Sequence, residues 1–195
     1  MALWIGLMTR FFVSQHRVRR ELYRLAGELG WTELKRPWLT ARRTVAGLWN
    51  GRRVAILYVP PGRGTPAFLS TEIELPLSGR FQLRCRPAKD SFWTRSLSFF
   101  RPPVIELFDP QDEQFRAWGD DRTTVDRLLA LSGVRPALAI HLCGGDGILT
   151  LTKGILGIRR PCPRSKAFDL GPDPETAREM VRVEWDLLLT ASRLA

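Results

Sequence analysis

Carboxylates and side-chain amides crowd one stretch of the chain, DPQDEQFRAWGDDRTTVDRLLAL, from Asp109 to Leu131. Asp109, Asp112, Glu113, Asp120, Asp121 and Asp126 are its candidates for metal binding or acid/base chemistry. Calcium takes about six to eight oxygen ligands, and an EF-hand loop alternates them around a central glycine. Asp109-x-x-Asp112-Glu113 does not have that spacing, and Trp118-Gly119 separates it from Asp120-Asp121. A glycosidase-type carboxylate pair is defined by separation in space, so Asp109, Asp112 and Glu113 support a minor reading as a carboxylate-dependent hydrolase. The competing reading is structural. Asp109-Pro110 is turn chemistry, Phe115 and Trp118 anchor a core, and Asp120 or Asp121 caps a helix. It accounts for more of the residues, and we expect no catalytic group, metal or cofactor here.

Other reactive residues are few. CGGDG, Cys143 to Gly147, follows a helical run and precedes a strand, whereas a phosphate-cradling loop follows a strand and opens a helix; it reads as a helix stop and tight turn. The two histidines, His16 and His141, accompany no GxSxG-type nucleophile motif. Cys85, Cys143 and Cys162 are an odd number with no CxxC pair. The expectation is neither a disulfide framework nor a zinc site, and a reducing compartment.

Charge is the stronger lead. Residues 1–65 hold 12 Lys/Arg against 3 Asp/Glu, and residues 66–195 hold 18 against 17, so the net +10 sits almost wholly in the first third. Such a field favours an anionic partner: a membrane surface, an acidic protein face or a nucleic acid. Arg10, Arg17, Arg20, Arg24, Arg42, Arg43, Arg52 and Arg53 are the candidate contacts. Trp31, Lys35, Arg36, Trp38 and Trp49 interleave with them. Aromatic-basic alternation suits base stacking and phosphate contact as well as a headgroup interface. No RNP, KH or helix-turn-helix signature accompanies it. A plainer account makes the tryptophans core residues and the arginines solvated faces.

These residues need elements to position them. Trp4, Leu7, Met8, Phe11, Val18, Leu22, Leu25 and Leu29 recur at helical steps with only Gln15 interrupting, and Arg10, Arg17, Arg20 and Arg24 project from the other side. This predicts an amphipathic helix over the first 29 residues, stopped at Gly30. Leu3, Ile5, Phe12 and Val13 lie off the stripe, making the first half apolar nearly all round. Trp4, Leu7, Met8, Phe11 and Phe12 are therefore candidate apolar docking residues. The opening MALWIGLM is too short to span a bilayer and lacks the features of a secretory signal.

Asn50-Gly51 between β-prone runs predicts a hairpin. Strands follow at AFLSTEIELPL and at GRFQLRCR, where Phe81, Leu83 and Cys85 alternate with Gln82, Arg84 and Arg86 as a half-buried antiparallel strand. Residues 87–103 read as an aromatic-basic loop. VIELF and FRAW are short strands, DRTTVDRLLAL and VRPALAIHL short helices, and ILTLTKGILGI a hairpin around Lys153-Gly154. Asp173 caps a closing helix with Pro174 at its first position. Strands do not alternate regularly with helices. The expected fold is α+β: an antiparallel sheet flanked by the N-terminal amphipathic helix, two short central helices and a C-terminal helix, as one domain over residues 1–195.

DEQFRAWGDDRTTVDRLL, Asp112 to Leu129, GILTLTKGILGI, Gly147 to Ile158, and LAGELGW…VAGLWNGRRVAILY at the front resemble a bacterial family of uncharacterised proteins. That family carries an acidic F-[DE]-x-x-F strand, a D-D step and a Leu-rich helix. The resemblance implies a fold type and no catalytic residues. The whole points to a non-enzymatic module of the bacterial cytoplasm, peripheral at the inner membrane face. It would dock on a protein partner or an anionic membrane surface through its basic N-terminal third. Non-specific nucleic-acid binding is the alternative.

Overall fold

The computed structural model describes residues 2–35, 45–59, 67–85, 104–105, 115–143, 147–162 and 173–194. The fold is α+β, with antiparallel strands, a helix near each end of the chain and two short helices in its middle. It forms two compact units, Met1–Thr71 with Pro161–Val183 and Glu72–Arg160 with Glu184–Ala195.

In the first unit, α1 (Ala2–Glu28) shows the second half of the predicted stripe, the side chains of Trp4, Leu7, Met8 and Phe11 lying outside the described residues. Val18, Leu22, Leu25 and Ala26 are buried, each large aliphatic side chain contributing roughly 1.5–3 kcal/mol. Gln15, the interruption, is buried too, and its Nε2 donates to the Tyr58 hydroxyl at 3.2 Å. A polar residue thus occupies the apolar stripe because a polar partner faces it. Gly30, at φ 77°, ends the helix. The strands β1 (Thr32–Lys35), β2 (Val45–Trp49), β3 (Arg52–Val59) and β4 (Phe68–Glu74) follow in that spatial order, and α1 packs on β1 and β2. Asn50 and Gly51, at φ 50° and 76°, form the expected hairpin turn. β1 is not foreshadowed by alternation. It is polar and mostly exposed, and its register on β2 shifts between Thr32 and Lys35, where Glu33 takes φ 50°. The first residues of α4 (Pro174–Ala191) complete this unit. The side chain of Asp173 accepts from the backbone N–H of Glu175 at 2.9 Å and of Thr176 at 3.1 Å, the predicted cap.

The second unit orders its strands β9 (Ile155–Pro161), β8 (Ile148–Thr152), β5 (Phe81–Cys85), β7 (Phe115–Gly119), β6 (Val104–Ile105). The β5–β7, β5–β8, β6–β7 and β8–β9 pairings are antiparallel. Lys153 and Gly154 turn the β8–β9 hairpin at φ 52° and 75°, as their pairing predicts. The helices α2 (Arg122–Ala130) and α3 (Val134–Leu138) lead into a single π-turn, Ala139–Cys143. Phe115, Leu83, Leu128, Leu138, Leu149, Ile158, Trp185 and Leu188 are core residues of this unit.

Two expectations are overturned here. Strand alternation puts Arg84 outside, yet Arg84 is only 8% exposed. Its guanidinium lies 5.8 Å from the centre of the Trp118 ring, and burial lowers its pKa. The aromatic face replaces part of the lost hydration. The cysteines are not all thiols: Cys85 and Cys143 form a disulfide with Cα atoms 5.0 Å apart, and Cys162, which is buried, stays outside it. Sequence separation, 58 residues here, carries no information about that proximity.

Candidate functional site

Of the acidic stretch, Asp109, Asp112 and Glu113 lie outside the described residues, as do Arg36, Trp38, Arg42, Arg43 and the loop at 86–103. The carboxylates that are described have structural partners. The Asp121 side chain accepts from the Thr124 N–H at 2.9 Å and caps α2. Asp120 instead accepts from the Arg80 N–H at 2.7 Å and from Arg80 Nε at 2.9 Å, and these bonds hold its carboxyl below the usual range. Asp126 pairs with Arg122 one helical turn away. Phe115 is buried, as a core anchor should be, whereas Trp118 is only half-buried. Among the described residues no group of three or more His, Cys, Asp or Glu is placed to hold a metal ion.

The basic residues on α1 make the more coherent constellation. At positions 17, 20 and 24 the helix rotates by about 300° and then 400°, so Arg17, Arg20 and Arg24 share one face and all three are exposed. They sit opposite Val18, Leu22 and Leu25, whose burial fixes the roll of the helix. With the start of α4 they line a cleft of about 1300 Å³ that also admits Tyr23, Glu175 and Arg178. Its charges are not equally committed. Arg178 pairs with Glu28 at 2.5 Å and Glu21 at 3.8 Å, and Arg24 pairs with Glu28 at 3.5 Å. Asp173 is occupied by its cap and its carboxyl is held low by Thr176. Arg17 and Arg20 form no ion pair among the described residues.

The remaining predicted contacts are dispersed. Arg52 and Arg53 begin β3, half-buried and exposed respectively, opposite Trp49 and Leu48, and are not part of the cleft wall. Arg10 and the apolar docking candidates Trp4, Leu7, Met8, Phe11 and Phe12 have their backbone in α1 and their side chains outside the description. Val13, 46% exposed, shows one apolar side chain on the open side of the helix. Trp31 is core, as the plainer account holds. No helix among the described residues is long and apolar enough to cross a membrane.

A second polar cluster escaped sequence reasoning altogether. Arg160 Nε donates to Glu184 Oε1 at 2.9 Å, with the glutamate side chain fully buried and the arginine 16% exposed. His141, on the π-turn, is buried with no hydrogen-bond partner for Nδ1 among the described residues. Burial and the Arg160 charge both lower its pKa. The only advance signal was the helical frame of α4, which puts Glu184 among Val181, Trp185 and Leu188.

No protein-family model matches the chain, and no curated protein is similar to it. Among solved structures it is similar to the mycobacterial trehalose monomycolate transport factor A, TtfA, at 11% identity and a TM-score of 0.45, over 89% of this chain and 95% of that one.

Proposed function

We propose that the chain is a non-enzymatic docking module that engages an anionic membrane surface, or an acidic protein partner, through its basic N-terminal third. The observation that carries this reading is the pair of exposed arginines, Arg17 and Arg20, on the open face of α1 with no carboxylate partner among the described residues. Arg10, Arg24, Arg42, Arg43, Arg52 and Arg53 add to the same field. The exposed Val13, with the sequence placement of Trp4, Leu7, Met8, Phe11 and Phe12, favours the membrane as the surface. An interfacial helix combines an arginine-rich polar side with apolar residues that enter the headgroup boundary. The protein would then be peripheral.

Each basic residue close to an anionic leaflet contributes about 1 kcal/mol. Reversing two, as Arg17→Glu with Arg20→Glu, weakens vesicle binding by at least about 30-fold. Cosedimentation of the full chain with phosphatidylglycerol vesicles and with phosphatidylcholine vesicles, at low and high salt, measures this. Binding to both lipids alike, or an unchanged affinity in the double variant, would refute the reading. Salt-sensitive retention on duplex DNA without vesicle binding would favour nucleic acid instead.

A further inference from the structure

The π-turn at Ala139–Cys143 is costly as built. π-geometry occurs mostly as single turns at functional positions, and this one buries an imidazole whose Nδ1 has no partner among the described residues. It also leaves Ile140 71% exposed. Gly147 lies so close that a Cβ there would meet the His141 carbonyl oxygen at 2.6 Å. Such a turn needs a restraint, and the chain supplies a covalent one at its last residue: Cys143 is bonded to Cys85, at the end of β5. The two cysteines are unequally exposed. Cys143 is exposed, Cys85 is half-buried, and the third cysteine, Cys162, is 4% exposed. Accessible disulfides are the ones open to exchange.

We propose that Cys85–Cys143 is a thiol–disulfide exchange site for a partner dithiol, and that its state decides whether the His141-bearing π-turn is held against β5. A thiolate of the dithiol attacks Cys143 Sγ, forming a mixed disulfide and breaking the Cys85–Cys143 bond; Cys85 leaves as a thiolate and takes a proton. The partner's second thiol then attacks its own sulfur in the mixed disulfide, closing a disulfide in the partner and releasing Cys143, which is protonated in turn. Two electrons pass to this chain and the dithiol is oxidised. Cys162 takes no part, because its burial denies it access.

Dithiothreitol is the probe for the full chain, and hydrogen exchange read by mass spectrometry is the assay. After reduction the π-turn peptide loses protection at least 10-fold more than the β2–β3 hairpin peptide. The Cys85→Ser/Cys143→Ser variant reproduces this without reductant, and Cys162→Ser does not. With oxidised glutathione and the reduced chain, the trapped mixed disulfide lies on Cys143. Equal loss in both peptides, or none, overturns the proposal. So does failure of oxidised glutathione to close the bond, or a mixed disulfide found mainly on Cys85. None of these readouts depends on vesicle binding.

Discussion

Replacing Arg160 by Met takes a guanidinium away from a buried carboxylate. Glu184 has no exposed side-chain surface, and Arg160 Nε sits 2.9 Å from its Oε1 with only 16% exposure of its own. Removing one member of such a pair leaves a buried charge without its counter-charge, which costs about 3–5 kcal/mol. For a chain of this size each kcal/mol moves the midpoint by about 2–4 °C, so Arg160→Met lowers Tm by about 6–20 °C. Glu184→Gln keeps the acceptor and leaves the arginine its small route to water, at about 1–2 kcal/mol. The double variant Arg160→Met/Glu184→Leu removes both charges and returns to within about 1 kcal/mol of the parent. Urea denaturation of all four proteins ranks their stabilities. His141 reports the same change by NMR, since loss of the Arg160 charge removes one of the two causes lowering its pKa and the value rises. A cost below about 1 kcal/mol for Arg160→Met, or a double variant weaker than that single, would refute the reasoning.

Three further expectations concern other positions. Asp121→Ala loses the cap of α2 and about 1 kcal/mol, whereas Asp120→Ala, which breaks only the exposed pairing with Arg80, leaves the melting curve almost unmoved. Gly119→Ala is destabilising by more than the cap loss, because at φ 155° the added Cβ lands on the Arg80 carbonyl oxygen; thermal melting orders the three variants. Tyr58 titrates at about 12, pushed up chiefly by burial against the lowering effect of its bond from Gln15. Its neutral form is the one the fold prefers, so that stability is whole below the ordinary tyrosine pKa of about 10 and is lost as pH rises from there through the folded value. Tyr58→Phe flattens that alkaline decline in fluorescence-detected unfolding, and an unchanged slope would assign it elsewhere.

Much of the local structure was legible where a backbone demand selects a residue type. Asn50-Gly51 and Lys153-Gly154 mark turns because few residues accept positive φ, and Asp121 and Asp173 mark helix starts because orphan N–H groups need an acceptor. The α1 stripe was legible through Val18, Leu22 and Leu25, and it correctly placed Arg17, Arg20 and Arg24 on the open side. What escaped depends on tertiary neighbours. Arg84 follows the period of a solvated strand face and is buried because Trp118 stands beside it. The Cys85–Cys143 bond and the Arg160–Glu184 pair join residues distant in sequence, with no local mark at either end. β1 is too polar and too bent at Glu33 to show a period.

Both compact units are assembled from separated lengths of chain, and the division falls inside β4, before the last residue of β9 and inside α4. Synthesis runs from the N-terminus at about 5–20 residues per second. When Thr71 leaves the ribosome, the first unit still lacks Pro161–Val183, including the α4 turns that carry Ala177, Val181 and Arg178. The second unit lacks Trp185 and Leu188 until later still. Neither can close its core while the other is being made, so the nascent chain leaves the side of α1 that meets Arg178 of α4 uncovered through most of translation. Chaperone occupancy on the ribosome should therefore begin with α1 and persist until α4 emerges.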